Sequence, residues 1–110
     1  MKVAVTSQNR RTVTGHAGKC RKFWIYDIDG GVIREKTLCE LPIEQTLHVL
    51  EGEVPDPLRG ISALITQGAG MGMRERMARH GIEVILTRLD DPDEAVSAWL
   101  VGRAASGASQ

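Results

Sequence analysis

Two short, predominantly apolar segments in the second half of the chain constrain its fold more than any other feature. They are Ile61–Thr66 (ISALIT) and residues 82–87 (IEVILT). Apolar runs of this length without alternation are typical of strands that a parallel sheet buries on both faces. Between them lie a glycine-rich turn and a short amphipathic helix over residues 73–80. This order predicts two parallel strands joined by a crossover helix, with residues 82–87 as a central strand.

The first half of the chain predicts one more strand and a β-hairpin. Lys2–Thr6 (KVAVT) is short and rich in valine, which indicates a buried strand. Residues 21–28 (RKFWIYDI) and 32–39 (VIREKTLC) flank an Asp-Gly-Gly turn. Two β-rich runs around such a turn are a strong signal for a hairpin.

The hairpin turn leaves two registers open. If the two-residue loop is 29–30, Cys20 lies opposite Cys39, and if it is 30–31, Cys20 lies opposite Leu41. Side chains alternate between the two faces of a strand, so either register places both thiols on one face of the hairpin.

The remaining segments complete a single α/β domain. Residues 43–51 have helical spacing, and Asp91-Pro92 begins a last helix with a capping residue followed by proline. The predicted fold is a mixed sheet of about five strands, with a hairpin and with helices on both faces. The domain is expected to span residues 1–104, and residues 105–110 to form a frayed tail.

Composition argues against several classes of partner. Lys and Arg number 14 against 14 Asp and Glu, so the formal net charge is +0. This balance gives no overall attraction to nucleic acid or to an anionic membrane. No apolar run reaches the roughly 18 residues of a spanning helix, and no export signal is recognisable. We therefore expect a cytoplasmic protein whose two cysteines are reduced thiols.

The loop GHAGKC, residues 15–20, is the first candidate binding site. It places the imidazole of His16 four residues from the thiol of Cys20, and both groups are common metal ligands. Two ligands do not complete a zinc site, but Cys39 across the hairpin or His48 could add to them. Alternatively, His16 is an ordinary exposed residue and Cys20 a buried one. The candidate cofactor-binding residues of this loop are Gly15, His16, Gly18, Lys19, Cys20 and Arg21, with His16 and Cys20 as metal ligands.

A second glycine-rich loop, residues 68–72, follows the strand Ile61–Thr66. Backbone N–H groups at Gly68 and Gly70 and the start of the next helix could bind an anion there. A tight turn without a ligand is the simpler alternative. A dinucleotide site is disfavoured because Met73 occupies the position of the last fingerprint glycine. Both loops follow the carboxyl ends of strands expected to be parallel, so they should lie at one edge of the sheet.

The helix after the second loop supplies no further candidate. Its methionines have helical spacing, which favours core packing, and Arg74, Arg76 and Arg79 indicate a solvated face. The sequence contains no recognisable Ser-His-Asp arrangement or pair of catalytic carboxylates. An enzyme would have to use Cys20 as nucleophile with His16 as base, and we do not expect one.

Three stretches together resemble a known family. They are KVAVTS at the amino terminus, TxxGHAGKCRKFWIYDIDGG, and ALITQGAGMG followed by HGIEVILT. The chain resembles the dinitrogenase iron–molybdenum cofactor biosynthesis family, the NifX/NafY-like group that also forms the carboxy-terminal part of NifB. The resemblance covers residues 1–102. Ala17 stands where the family commonly has Phe, and Gln67 where Gly is usual.

The resemblance implies a ribonuclease H-like three-layer fold and a role as carrier of a cofactor. The cargo would be the iron–molybdenum cofactor or its iron–sulfur precursor, with His16 as the ligand. The partners would be cofactor-donating and cofactor-accepting proteins of nitrogenase assembly, with neither nucleic acid nor membrane involved. The alternative is a small metal- or anion-responsive regulatory module with the same fold and no link to nitrogen fixation.

Overall fold

The structure, a computed structural model, describes residues 1–46 and 54–108. One strand and a hairpin come first, and strands and helices alternate in the second half of the chain. They are β1 (Lys2–Thr6), β2 (Lys22–Asp29), β3 (Val32–Glu40), two 3-10 turns at Ile43–Gln45 and Asp56–Leu58, β4 (Ile61–Thr66), α1 (Met71–Arg79), β5 (Glu83–Leu86) and α2 (Pro92–Ala108).

The strands form one mixed sheet in the order β3-β2-β1-β4-β5. β1 is parallel to β4, β4 is parallel to β5, and the hairpin joins the sheet through antiparallel pairing of β2 with β1. The predicted five-strand mixed sheet is therefore confirmed. The prediction of a central position for residues 82–87 is wrong, because β5 is an edge strand. Its apolar residues are explained by packing on both faces, since Val84 and Ile85 contact different core clusters.

The core is divided between the two faces of the sheet. Along β1, Ala4 belongs to one cluster and its neighbours Val3 and Val5 belong to the other. α1 contributes Met73 and Met77 to the first cluster. α2 contributes Ala95 and Val96 to the second cluster. One helix therefore covers each face, and the predicted burial of the methionines at 73 and 77 is confirmed.

A β-bulge in β3 changes the register of the hairpin. Gly30 and Gly31 form the loop with positive φ angles of 60° and 78°. Ile28 pairs with Ile33, but Asp27 pairs with Glu35, which leaves Arg34 as an extra residue. The register beyond the bulge is shifted by one, so Cys39 lies opposite Phe23. Both predicted pairings of Cys20 are therefore wrong, because neither allowed for an unpaired residue and Cys20 precedes β2.

Two predicted helix boundaries also differ. The helix expected over residues 43–51 begins only as the 3-10 turn Ile43–Gln45, because Thr46 takes an extended conformation with ψ of 155°. The rest of that segment, including His48, lies outside the described residues. α2 extends through Ala108, so residues 105–108 are helical where the sequence predicted a tail. Within residues 1–46 and 54–108, no helix is long and apolar enough to cross a membrane.

Candidate functional site

The structure brings the two glycine loops together around a cleft of about 690 Å³. Its lining comes from residues 15–19 of the first loop, residues 67–70 of the second loop, and Met73 and Arg76 of α1. The loops follow the carboxyl ends of β1 and β4, which are neighbouring parallel strands. Open sheets commonly bind ligands at this edge, because loops from several strands converge there.

Backbone hydrogen bonds hold the two loops against each other. The amide of Gln67 donates to the Thr14 carbonyl at 3.0 Å, and the amide of Ala17 donates to the Gly68 carbonyl at 3.0 Å. The backbones are close enough that a Cβ at Gly15 would lie 3.5 Å from the nitrogen of Gly68. The two loops therefore form one connected backbone surface.

The hydroxyls of two threonines fix this surface to the ends of the strands. Thr6 and Thr66 end β1 and β4, both are fully buried, and their hydroxyl oxygens lie 2.9 Å apart. The Thr6 hydroxyl donates to the Thr14 carbonyl, and the Thr66 hydroxyl accepts from the Gly68 amide at 3.3 Å. Buried hydroxyls are stable only when hydrogen-bonded, so this network specifies one arrangement of the loops.

His16 lies in the cleft wall with an unusual backbone conformation. Its φ is 52°, in the left-handed region, and its side chain is exposed. Its carbonyl accepts from the amides of Lys19 at 2.9 Å and Cys20 at 3.1 Å, which closes a tight turn. A non-glycine residue in this region costs roughly 1–2 kcal/mol. The turn therefore holds the imidazole at the cleft against a local backbone penalty.

The charges around the cleft favour an anion. Lys19 on the loop and Arg76 on α1 line it, and none of the described Asp or Glu residues does. Among residues 1–46 and 54–108, neither cation is in an ion pair. α1 begins at the cleft with Gly70 as its cap, without a side-chain hydrogen bond and without an acidic residue in its first turn. The free amides at this end add partial positive charge.

Cys20 does not line the cleft. Its side chain is 3% exposed and packs in the core cluster on the α1 side of the sheet. The thiol donates to the Lys22 carbonyl at 3.1 Å, and burial raises the pKa of Cys20. A buried thiol that ionises with difficulty is a weak metal ligand and a weak nucleophile. The structure therefore separates Cys20 from His16, although the sequence places them four residues apart.

The other predicted contributors lie elsewhere as well. Arg21 is held away from the cleft because its Nε donates to the Leu41 carbonyl at 2.9 Å. Cys39 packs against the same cluster as Cys20, both are free thiols, and burial raises the pKa of Cys39. The described residues contain no group of three or more His, Cys, Asp or Glu side chains that could hold a metal ion.

Sequence reasoning missed Met73 and Arg76 as cleft residues. Met73 was predicted to be core, and it is both buried and part of the wall. Arg76 was interpreted as part of a solvated face, but it is half-buried while Arg74 and Arg79 are exposed. Residues three apart share a helix face, so the spacing of 73 and 76 was the available signal.

The fold and the cleft define a small α/β domain with a cleft at the carboxyl edge of its parallel strands. Residues 1–102 match the family described as dinitrogenase iron-molybdenum cofactor, and the chain belongs to that family. The resemblance inferred from the sequence motifs is thereby confirmed. Membership of this family suggests a role in the biosynthesis of the iron–molybdenum cofactor.

Individual relatives support the same fold. An uncharacterized protein of Methanocaldococcus jannaschii is 29% identical over 106 residues, which are 94% of this chain and 88% of that protein. The crystal structure of PH0822 has a TM-score of 0.75 at 24% identity, covering 93% of this chain and 90% of its own. A crystal structure of a candidate dinitrogenase from M. jannaschii has a TM-score of 0.67 at 17% identity, covering 93% and 89%.

Proposed function

We propose that the protein is a non-catalytic carrier of an anionic iron–sulfur cluster, the iron–molybdenum cofactor or its precursor, and that the cleft is its binding site. One observation carries the proposal. Within the part of the chain that the structure describes, the cleft combines the exposed imidazole of His16 with Lys19 and Arg76, two cations outside any ion pair, and no acidic side chain lines it. His16 would be the ligand, and the cations with the glycine-loop amides would hold the negative charge of the cluster.

The small number of ligands suits a carrier. A protein that passes its cargo to a partner must release it, and a closed set of four thiolates would oppose release. Here both cysteines belong to the core rather than to the cleft. We therefore remove Cys20 and Arg21 from the proposed site and retain Gly15, His16, Gly18, Lys19, Gly68 and Gly70. Cofactor-donating and cofactor-accepting assembly proteins would be the partners.

The arrangement of groups also supports a function without catalysis. A nucleophilic cysteine needs a lowered pKa and a base within hydrogen-bonding reach. Burial raises the pKa of Cys20, and the thiol is hydrogen-bonded to a backbone carbonyl rather than to an imidazole.

The strand arrangement supports the ribonuclease H-like description of the fold. In the described sheet, β2 runs antiparallel to both of its neighbours, whereas β1, β4 and β5 run parallel to one another.

Anaerobic loading tests the carrier function. The parent protein, His16→Ala and His80→Ala would be incubated with an extract that contains the cofactor, re-isolated by gel filtration and analysed for iron and molybdenum. His80 is a matched control because it is exposed and lies outside the cleft lining. We expect the parent and His80→Ala to retain metal and His16→Ala to lose most of it. Equal retention by His16→Ala would refute the ligand assignment, and absence of metal from the parent would favour the regulatory module.

A further inference from the structure

We propose that Lys19 and Arg76 form a pair of cations that makes the cleft selective for compact polyanions, with Arg76 as the residue that determines this selectivity. The inference rests on the proposed function and adds the class of ligand that the same site accepts. Arg76 belongs to α1 and Lys19 to the loop after β1, so two separate elements bring the two charges to the lining of one cleft.

The position of Arg76 distinguishes it from the other arginines of α1. It follows Met73 by three residues, and residues at this spacing share a helix face. Met73 is 7% exposed, so that face is turned toward the protein and the cleft. Arg74 lines a different groove beside β5, and Arg79 lines neither. Of the three arginines of α1, Arg76 is therefore the one that lines the proposed binding site.

The charges then decide what the cleft can hold. A ligand between Lys19 and Arg76 is stabilised most when it carries negative charge on two sides, which a dianion does and a monoanion does not. A guanidinium can also donate two parallel hydrogen bonds to such a ligand. A free divalent cation would be repelled by both groups, and among the described side chains of the lining it would find one imidazole, one thioether and the amide oxygen of Gln67 as possible ligands.

Two small probes of opposite charge test this selectivity. Tetrathiomolybdate is a dianion of molybdenum and sulfide, and Zn²⁺ is the cation; both affinities are measured anaerobically by calorimetry. We expect Arg76→Gln to bind tetrathiomolybdate about tenfold more weakly than the parent does. The same variant should bind Zn²⁺ more tightly at His16. Zinc binding at His16 is measured as the part of the binding that His16→Ala removes. A loss of the folded cleft would weaken tetrathiomolybdate binding and the zinc binding that depends on His16 together, so opposite changes in these two quantities identify a charge effect.

Two further variants complete the design. Arg79→Gln is the matched control and should bind both probes as the parent does, while Lys19→Gln should change both in the same directions as Arg76→Gln. Equal tetrathiomolybdate affinities for Arg76→Gln and Arg79→Gln would overturn the selectivity. So would a parent that retains cofactor but does not bind tetrathiomolybdate; in both cases the cargo site itself would stand. A parent that binds neither cofactor nor tetrathiomolybdate would overturn the proposed function as well.

Discussion

The buried hydroxyls of Thr6 and Thr66 lie 2.9 Å apart at the carboxyl ends of two neighbouring parallel strands. Each residue ends an apolar strand, and each side chain also bonds to one of the two glycine loops. The pair therefore connects the centre of the sheet to the cleft. In both strands a single polar residue follows a run of apolar ones, and it stands where the chain leaves the sheet.

We expect Thr66→Val to lower the free energy of unfolding by about 1–3 kcal/mol, because it removes the hydrogen bond between the two buried hydroxyls and takes away the hydroxyl acceptor of the Gly68 amide. Thr66→Ser keeps the hydroxyl and should be more stable than Thr66→Val. Urea denaturation measures both values. Equal stability of the valine variant and the parent would show that the network does not contribute.

The left-handed backbone at His16 predicts that glycine gives a more stable protein than alanine at this position, which reverses the usual order. Because φ is 52° there, His16→Gly should be more stable than His16→Ala by about 1 kcal/mol. Lys19 has no positive φ. The order at that position should therefore be the usual one, with Lys19→Ala more stable than Lys19→Gly. Thermal unfolding of the four variants provides the comparison, and the same order at both positions would contradict the assigned conformation.

The two cysteines should react at different rates. Cys20 is 3% exposed and Cys39 is less deeply buried, and burial raises the pKa of both thiols. Since the thiolate is the reactive form, iodoacetamide should modify Cys39 before Cys20, and both more slowly than in urea. Peptide mass spectrometry resolves the two sites. Modification of Cys20 as fast as in the denatured chain would mean that it is not buried in solution.

The raised pKa of Cys20 also predicts a change of stability at alkaline pH. A thiol whose pKa is higher in the folded state stabilises the fold below its ordinary value of 9.0, and this contribution is lost as the pH rises. The parent should therefore lose more stability than Cys20→Ala between about pH 8 and about pH 10. Guanidinium denaturation at the two pH values tests this, and parallel losses would contradict it.

The contribution of Asp93 to stability should be lost as the pH falls, whereas that of Cys20 is lost as the pH rises. The hydroxyl of Tyr26 donates to its carboxylate at 2.6 Å, and Lys36 approaches it at 2.9 Å, so the pKa of Asp93 is lowered. Stability from a lowered carboxyl pKa is present above the ordinary value of 3.8 and is lost as the pH falls. The stability difference between the parent and Asp93→Asn should therefore shrink from about pH 7 to about pH 3.

A matched control for that measurement is Asp56→Asn. Among the described residues the ion-pair partner of Asp56 is Arg59 at the surface, and the side chain of Asp56 is 84% exposed. Exposed pairs of this kind contribute little to stability, so the variant should follow the parent at both pH values. A pH-dependent difference as large as that of Asp93→Asn would mean that the Tyr26 and Lys36 contacts do not set the behaviour of Asp93.

The sequence by itself determined the strands, the parallel direction of β1, β4 and β5, and the meeting of the two glycine loops. These features follow from local patterns. Apolar runs indicate burial, Asp-Gly-Gly indicates a turn, and loops that follow parallel strands leave the sheet at one edge. The role of His16 as cofactor ligand stays a prediction, because geometry places the imidazole at the cleft without its cargo.

Only the tertiary structure decided which strands and helices pack against each of these segments. An apolar strand can be buried by two helices as well as by two strands, so burial did not reveal that β5 is an edge. The extra residue Arg34 changed the register of the hairpin beyond the turn. Cys20 lies in the core and Arg76 at the cleft because packing on α1 and β2 fixes their orientation. Spacing along a chain measures separation in sequence, whereas a binding site depends on which faces the packed elements turn toward one another.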